Sequence, residues 1–240
     1  MIDKIVRVLN RPTILVKFFK KRIHSVYENF YAWHDANSIQ HGLKSGDKVL
    51  FVDGGSNIGQ GFAWFSRYFN SDSIHFDLFE PNPNCIEILI DRIEDSHLDN
   101  ISIHSFGLGL HEEELKFYGI SEAEGGATSQ GGSINKDHKF STYSAHASDA
   151  IIVKTINFSD YLKNKKREYS KIVVKMDIEG AENDLLEHLI SQETHKLIDI
   201  LYIEFHSQFL NHPQSHIERK REVKIINKLK RDKIKVRLWH

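Results

Sequence analysis

From Lys48 onward the chain alternates short, almost uninterrupted apolar runs with longer helical stretches, and this alternation constrains the fold more than any other feature. The apolar runs are 49–53, 74–80, 101–106, 172–177 and 200–205, and a last candidate spans 233–239. Strands buried on both faces of a parallel sheet read as continuous apolar runs rather than as alternating ones. Helical pieces lie between them at 59–69, 84–96, 181–191 and 215–231. The pattern predicts an α/β protein with a doubly wound, mostly parallel sheet and ligands at the carboxyl ends of its strands. Residues 1–46 read as an N-terminal helical extension in which Pro12 marks a break or a first turn, and 47–240 read as one domain. The segment 107–160 breaks the alternation. Two further strand candidates there, 115–118 and 151–156, flank a Gly/Ser/Thr-rich stretch, 125–144, that reads as a lid or as poorly ordered.

Composition limits the alternatives. A soluble chain of 240 residues, 40% hydrophobic, can bury roughly three quarters of its unfolded surface in one core. No stretch approaches the roughly twenty apolar residues of a membrane span, and the run Ile14–Val16 is broken at once by Lys17. One cysteine, Cys85, allows neither an internal disulfide nor a multi-cysteine zinc site, which predicts a reducing, cytoplasmic setting. The net charge of −1 hides polarity: residues 1–28 carry +5, 29–217 carry −13 and 218–240 carry +7. Basic ends are usually solvated helix faces, but they also suit a phosphate-bearing partner or weak contact with a membrane surface.

Three motifs carry chemistry, each at the end of a predicted strand. The first is Asp53-Gly54-Gly55-Ser56-Asn57-Ile58-Gly59. Its glycines permit a tight turn and close approach of a ligand, and Asp53 favours a cation over a pyrophosphate. The second is Phe79-Glu80-Pro81-Asn82-Pro83. An acid at the tip of the second strand can accept hydrogen bonds from both hydroxyls of a ribose. The third is Lys175-Met176-Asp177-Ile178-Glu179-Gly180-Ala181-Glu182. Two-residue alternation would put Lys175, Asp177 and Glu179 on one face, and buried charges there are costly unless paired or used. Glu182 reads equally well as a carboxylate favoured by the start of a helix. Alternation also puts Glu204 with His206, which would emerge at the ligand-bearing edge as a general base near its intrinsic pKa.

Together these three motifs resemble the FkbM-type S-adenosylmethionine-dependent methyltransferases, from about Lys48 to His206. The resemblance implies a class I methyltransferase fold and S-adenosyl-L-methionine as cofactor. Asp53, Gly54, Gly55, Ser56, Asn57 and Gly59 would lie at the cofactor, with Glu80 and Pro81 at its ribose. Phe106 and Gly107 would border the adenine, and Asp177 and Glu179 would lie near the methyl group. The resemblance also implies a hydroxyl of a sugar, glycan or related natural product as acceptor; strand alternation and neighbouring strand ends would bring Lys175, Asp177 and His206 together as the catalytic group. The family's usual antiparallel hairpin at the sheet edge has no clear counterpart after Trp239.

Weaker signals complete the reading. No metal is assigned: the spacing of His206, His212 and His216 fits no ligand pattern, and Asp177 with Glu179 is a weak pair for a hard cation. Trp64, Tyr118, Tyr143 and Phe158 are candidates for stacking but more often such residues pack in a core. A nucleic-acid methyltransferase is the enzymatic alternative, disfavoured because the acidic strand tip would repel a phosphate backbone. A catalytically silent interaction module is the non-enzymatic one.

Overall fold

The computed structural model describes residues 12–119, 132–134 and 150–239, with side chains from Ser25 onward. The chain divides into two units between Leu43 and Lys44. In the first, helix α1 runs from Pro12 to Gly42. Pro12 is its first residue, where the missing N–H has no helical partner to lose.

The second unit is built on a six-stranded sheet. Its strands are β1 (Val49–Gly54), β2 (Ile74–Phe79), β3 (Ile101–His104), β7 (Lys171–Met176), β8 (Ile200–Ile203) and β9 (Lys235–Leu238). They stand in the order β3-β2-β1-β7-β8-β9, every neighbouring pair parallel. This is the α/β sheet that the apolar runs predict. β9 lies parallel to β8 at the sheet edge.

Alternation along β1 separates two packed layers. Leu50 and Val52 pack with Val174, Leu185, Leu189 and Leu229 in one core. Phe51, on the opposite face, meets Phe65, Phe69 and Phe76 with ring centroids 4.9–5.1 Å apart. The flanking helices are α2 (Gln60–Phe65), α3 (Pro83–Glu94), α4 (Phe158–Lys165), α5 (Glu182–Ser191) and α6 (Gln214–Arg231). The Asn82 side chain caps α3 by accepting from the Asn84 N–H at 3.1 Å, and Pro83 follows in the first turn. α4 has no counterpart among the expected helices; it starts at an Asn157 cap that accepts from the Asp160 N–H at 3.1 Å. It buries Phe158 completely, so that ring is core and does not stack on a ligand.

The segment that breaks the alternation makes a second, three-stranded sheet. Strand β6 (Ile151–Asn157) lies between β4 (Gly107–Gly109), parallel to it, and β5 (Glu113–Phe117), antiparallel. Most of the stretch 125–144, including Tyr143, lies outside the described residues; Ser133 pairs with Tyr118 beside β5.

Candidate functional site

β1 has β2 on one side and β7 on the other, so the chain leaves the sheet in opposite directions from adjacent strands. Such a switch opens a crevice at the carboxyl ends. Here that crevice is a cleft of about 630 Å³, floored by the tips of β1, β2, β7 and β8 and walled by the small sheet.

The first motif leaves β1 in a tight turn. Gly55 adopts φ 74°, and a Cβ on it would stand 1.8 Å from the Asp177 carbonyl oxygen. Only glycine lets the two strand tips approach so closely. The N–H groups of Gly55 and Ser56 both donate to the Phe79 carbonyl at 3.0 Å. Glu80 completes the staple: one carboxylate oxygen accepts from the Asn57 N–H at 2.7 Å and the other from the Asn82 N–H at 2.6 Å. An ionised carboxylate offers about four acceptor positions, and these two bonds use two of them. Burial pushes the Glu80 carboxyl up to about 7, against the pull of those two N–H groups.

Opposite lies a knot of charged side chains. Lys175, 2% exposed, donates to the Gly55 carbonyl at 2.9 Å and stands 3.1 Å from Asp53 and 3.3 Å from Asp177. Burial opposes its charge, but the two aspartates overcome this and hold its pKa above the ordinary lysine value. Asp53 is fully buried, and burial raises its carboxyl despite Lys175. His206 is also buried; its Nδ1 lies 2.8 Å from Glu182, and its Nε2 lies 3.3 Å from Glu179 and 3.5 Å from Asp177. Burial works against the imidazolium, yet Glu182, Glu179 and Asp177 raise its pKa to about 10. Burial likewise lifts Glu179 to about 8 and Glu204 to about 7.

Gly55, Ser56, Asn57, Glu80, Pro81, Gly107, Lys175, Asp177, Glu179 and His206 all line the cleft. Several expectations need correction. Asp53, Gly54 and Gly59 do not line it: Asp53 sits beneath the turn, neutralised by Lys175, and an added Cβ on Gly54 would meet Leu108 at 2.5 Å. Phe106 is an exposed residue outside the lining. β7 and β8 end at Met176 and Ile203, so strand alternation does not position Asp177, Glu179, Glu204 or His206. Asp177 and Glu179 sit instead in a turn after β7, with Glu179 at φ 53° and Glu182 accepting from the N–H groups of Ile178 and Gly180, while Glu204 and His206 lie in the chain that leaves β8. His206 is not a free imidazole near its intrinsic pKa: its carboxylate neighbours raise that pKa and favour the imidazolium, which has no lone pair with which to accept a proton.

Other lining residues were not foreseen as site residues. Leu115, Phe117, Val153 and Thr155 come from the small sheet, and Trp239 follows β9. Trp64, a stacking candidate, does reach the cleft, with its ring centroid 4.7 Å from that of Trp239. The runs at 115–118 and 151–156 signalled strands, but nothing in them signalled pairing with Gly107–Gly109. Among the described residues no helix is long and apolar enough to cross a membrane.

No curated protein matches the chain. Among solved structures, the crystal structure of a methyltransferase FkbM from Methylobacillus flagellatus KT is similar at 16% identity with a TM-score of 0.38, over 63% of this chain. The matched region amounts to 30% of that protein's length. The family model of the methyltransferase FkbM domain matches residues 53–224, a span that holds the glycine turn, Glu80, Lys175, Asp177 and His206. The chain therefore belongs to the FkbM methyltransferase family.

Proposed function

We propose that this methyltransferase is an S-adenosylmethionine-dependent O-methyltransferase acting on a hydroxyl of a sugar, glycan or related natural product, with residues 47–240 as its catalytic domain. The observation that carries the reading is the cleft itself. One side offers a glycine turn and a buried carboxylate, and the other an excess of acid. The residues present fit the cofactor. The cradle at Gly55 has no room for a side chain, Glu80 keeps acceptor positions for a ribose, and the acidic side suits a ligand with a sulfonium and an ammonium. When bound, S-adenosylmethionine supplies a methyl group already activated by its positive sulfur.

The chain's own residues do the rest. Glu80 holds the ribose and fixes the turn that binds it. Lys175 is a positioning residue: it neutralises Asp53 and aims the Asp177 carboxylate, whose side chain is 24% exposed, toward the cleft. Asp177 takes the hydroxyl proton of the acceptor as the new bond forms, because it is more exposed to the cleft than His206 and the carboxylates around His206 favour the imidazolium. His206 holds the carboxylates of Asp177, Glu179 and Glu182 in register. Trp64 and Trp239 offer ring faces of the kind that pack against sugars. The lone Cys85, buried in α3, supports a cytoplasmic setting.

The test pairs binding with turnover. Calorimetry should show S-adenosylmethionine binding and no comparable binding of NAD, and labelled cofactor should mark members of a glycan panel but not a tRNA control. Labelling of tRNA alone would replace the acceptor class. Cofactor binding without transfer to any acceptor would make the chain a silent binding module.

A further inference from the structure

The two nitrogens of His206 meet their neighbours differently. Nδ1 lies 2.8 Å from Glu182, an ordinary charge-assisted hydrogen bond. Nε2 lies 3.3 Å from Glu179 and 3.5 Å from Asp177, both longer than the roughly 2.7–2.9 Å of such a bond. In four- to six-coordinate sites with bonds of about 2.0–2.2 Å, adjacent donor atoms stand roughly 2.9–3.6 Å apart. The three donor atoms of Asp177, Glu179 and His206 all lie within 4.8 Å of one another. We infer that Asp177, Glu179 and His206 bind a divalent first-row cation, such as manganese, at the acceptor side of the cleft.

Three further features support the site. Glu182 fixes the ring through Nδ1 and is itself held by the N–H groups of Ile178 and Gly180. A carboxylate on the far nitrogen is the usual outer partner of a metal-bound histidine. The cluster is rich in oxygen donors: with Glu204, 4.0 Å from Nε2, four carboxyl groups surround one imidazole, and Lys175 is shared with the buried Asp53. All three ligands line the cleft, so remaining coordination positions face the ligand space, as in a catalytic rather than a structural site. One imidazole with two carboxylates suits manganese, iron, cobalt or zinc better than calcium, which prefers oxygen alone.

The role of the cation, though not its binding, rests on the proposed O-methyl transfer. It holds the acceptor hydroxyl oxygen and lowers its pKa. Binding the cation displaces the Nε2 proton of His206 to solvent. Asp177 is then a ligand in place of the base it is in the metal-free reading, and Glu204, which also lines the cleft, takes the hydroxyl proton. As the oxygen–carbon bond forms, the carbon–sulfur bond breaks and its electron pair stays on sulfur.

The experiment is a titration of the full chain with Mn²⁺, followed by electron paramagnetic resonance and calorimetry, without cofactor or acceptor. One equivalent should bind, with Ca²⁺ at least about tenfold weaker. Glu179→Gln and His206→Gln should abolish binding, and Glu182→Gln should weaken it by about 10–100-fold. Circular dichroism identifies folded variants; if His206→Gln fails to fold, Glu179→Gln decides. Absence of binding at millimolar Mn²⁺, equal binding of Ca²⁺, or binding that survives Glu179→Gln would overturn the site. Cofactor calorimetry on the same protein separates the two readings: S-adenosylmethionine binding without Mn²⁺ binding sinks the metal site alone. Mn²⁺ binding without S-adenosylmethionine binding sinks the proposed cofactor and leaves the site standing.

Discussion

The two sides of the cleft solve the same problem, holding polar groups out of water, by different means. At the tips of β1 and β2 the chain relies on backbone: the Phe79 carbonyl, the N–H groups of residues 55–57, and one carboxylate, Glu80, bonded to both Asn57 and Asn82. At the tips of β7 and β8 it relies on side chains that satisfy one another: Lys175 with Asp53 and Asp177, and His206 with Glu179 and Glu182. The first side is fixed by shape and tolerates no added atom at Gly55. The second is fixed by charge, so removing one member exposes the rest. Mutations that add bulk should therefore damage the first side, and mutations that remove charge the second.

The largest effect belongs to Lys175. Its loss leaves Asp53 charged, fully buried and without its counter-charge. Breaking a buried pair in this way typically costs about 3–5 kcal/mol. Lys175→Met should lower stability by that amount in urea denaturation. The double variant Asp53→Asn/Lys175→Met should recover a substantial part of it, because the stranded charge is gone. A single variant as stable as the wild type would mean that Asp53 is held neutral and the charge-based side is not charge-based.

Gly55→Ala tests the other side. The left-handed backbone alone costs a non-glycine residue about 1–3 kcal/mol. The new Cβ must also displace the Asp177 carbonyl that it would meet at 1.8 Å. We expect a loss of about 2–4 kcal/mol, with cofactor binding lost even where the fold survives. Calorimetry on the folded fraction checks this, and unchanged affinity would remove the turn from the site.

These two residues also show what the sequence could reveal. Gly55 and Glu80 were legible because their signals are local: a glycine pair straight after an apolar run, and an acid between an apolar run and a proline. Lys175 and Asp177 were legible as misplaced charges beside a buried strand. Their partners were not. That Lys175 neutralises Asp53 depends on the register of β1 against β7, where the two residues stand opposite each other. Pairing register is a tertiary property, and the expectation that Asp53 would face a cationic ligand failed for that reason. The pKa of His206 was misjudged likewise, because its carboxylate neighbours Asp177 and Glu179 come from the turn after β7 and Glu182 from the start of α5. The wall formed by β4, β5 and β6 was hidden because a three-residue strand such as Gly107–Gly109 carries no periodicity to read.

Glu80 sharpens the comparison through pH. Its folded pKa of about 7 lies above its ordinary value of 4.5, so burial of its charge costs stability above pH 7. As pH falls from 7 toward 4.5, the folded state takes up the proton first and gains stability relative to the unfolded chain. Cofactor binding runs the opposite way, since ribose hydroxyls donate more strongly to an ionised carboxylate. Lys175 pulls the Glu80 pKa down and Asp53 pushes it up, both less than burial does. Affinity for S-adenosylmethionine should therefore rise by about tenfold between pH 6 and pH 8. Other groups in the cleft titrate in the same range, so the informative quantity is the difference between wild type and Glu80→Gln. Equal slopes for the two proteins would free Glu80 from the ribose.

The smallest expected effect is at Gly61, and it separates shape from charge within one short stretch. Gly61 lies in α2 and lines the cleft, only six residues after Gly55. A Cβ there would meet an Asp53 oxygen and the Lys175 side chain at 3.4 Å, which is ordinary contact, and its backbone is helical. Replacing a helical glycine with alanine restricts the unfolded chain and is worth up to about 1 kcal/mol. Gly61→Ala should therefore be neutral or stabilising by up to about that amount in the denaturation assay that shows Gly55→Ala to be damaging. It should also leave the Lys175–Asp53 pair intact, because the methyl group displaces neither charge. A loss of more than about 1 kcal/mol would show that the charged side has no spare room either, and the contrast between the two walls of the cleft would disappear.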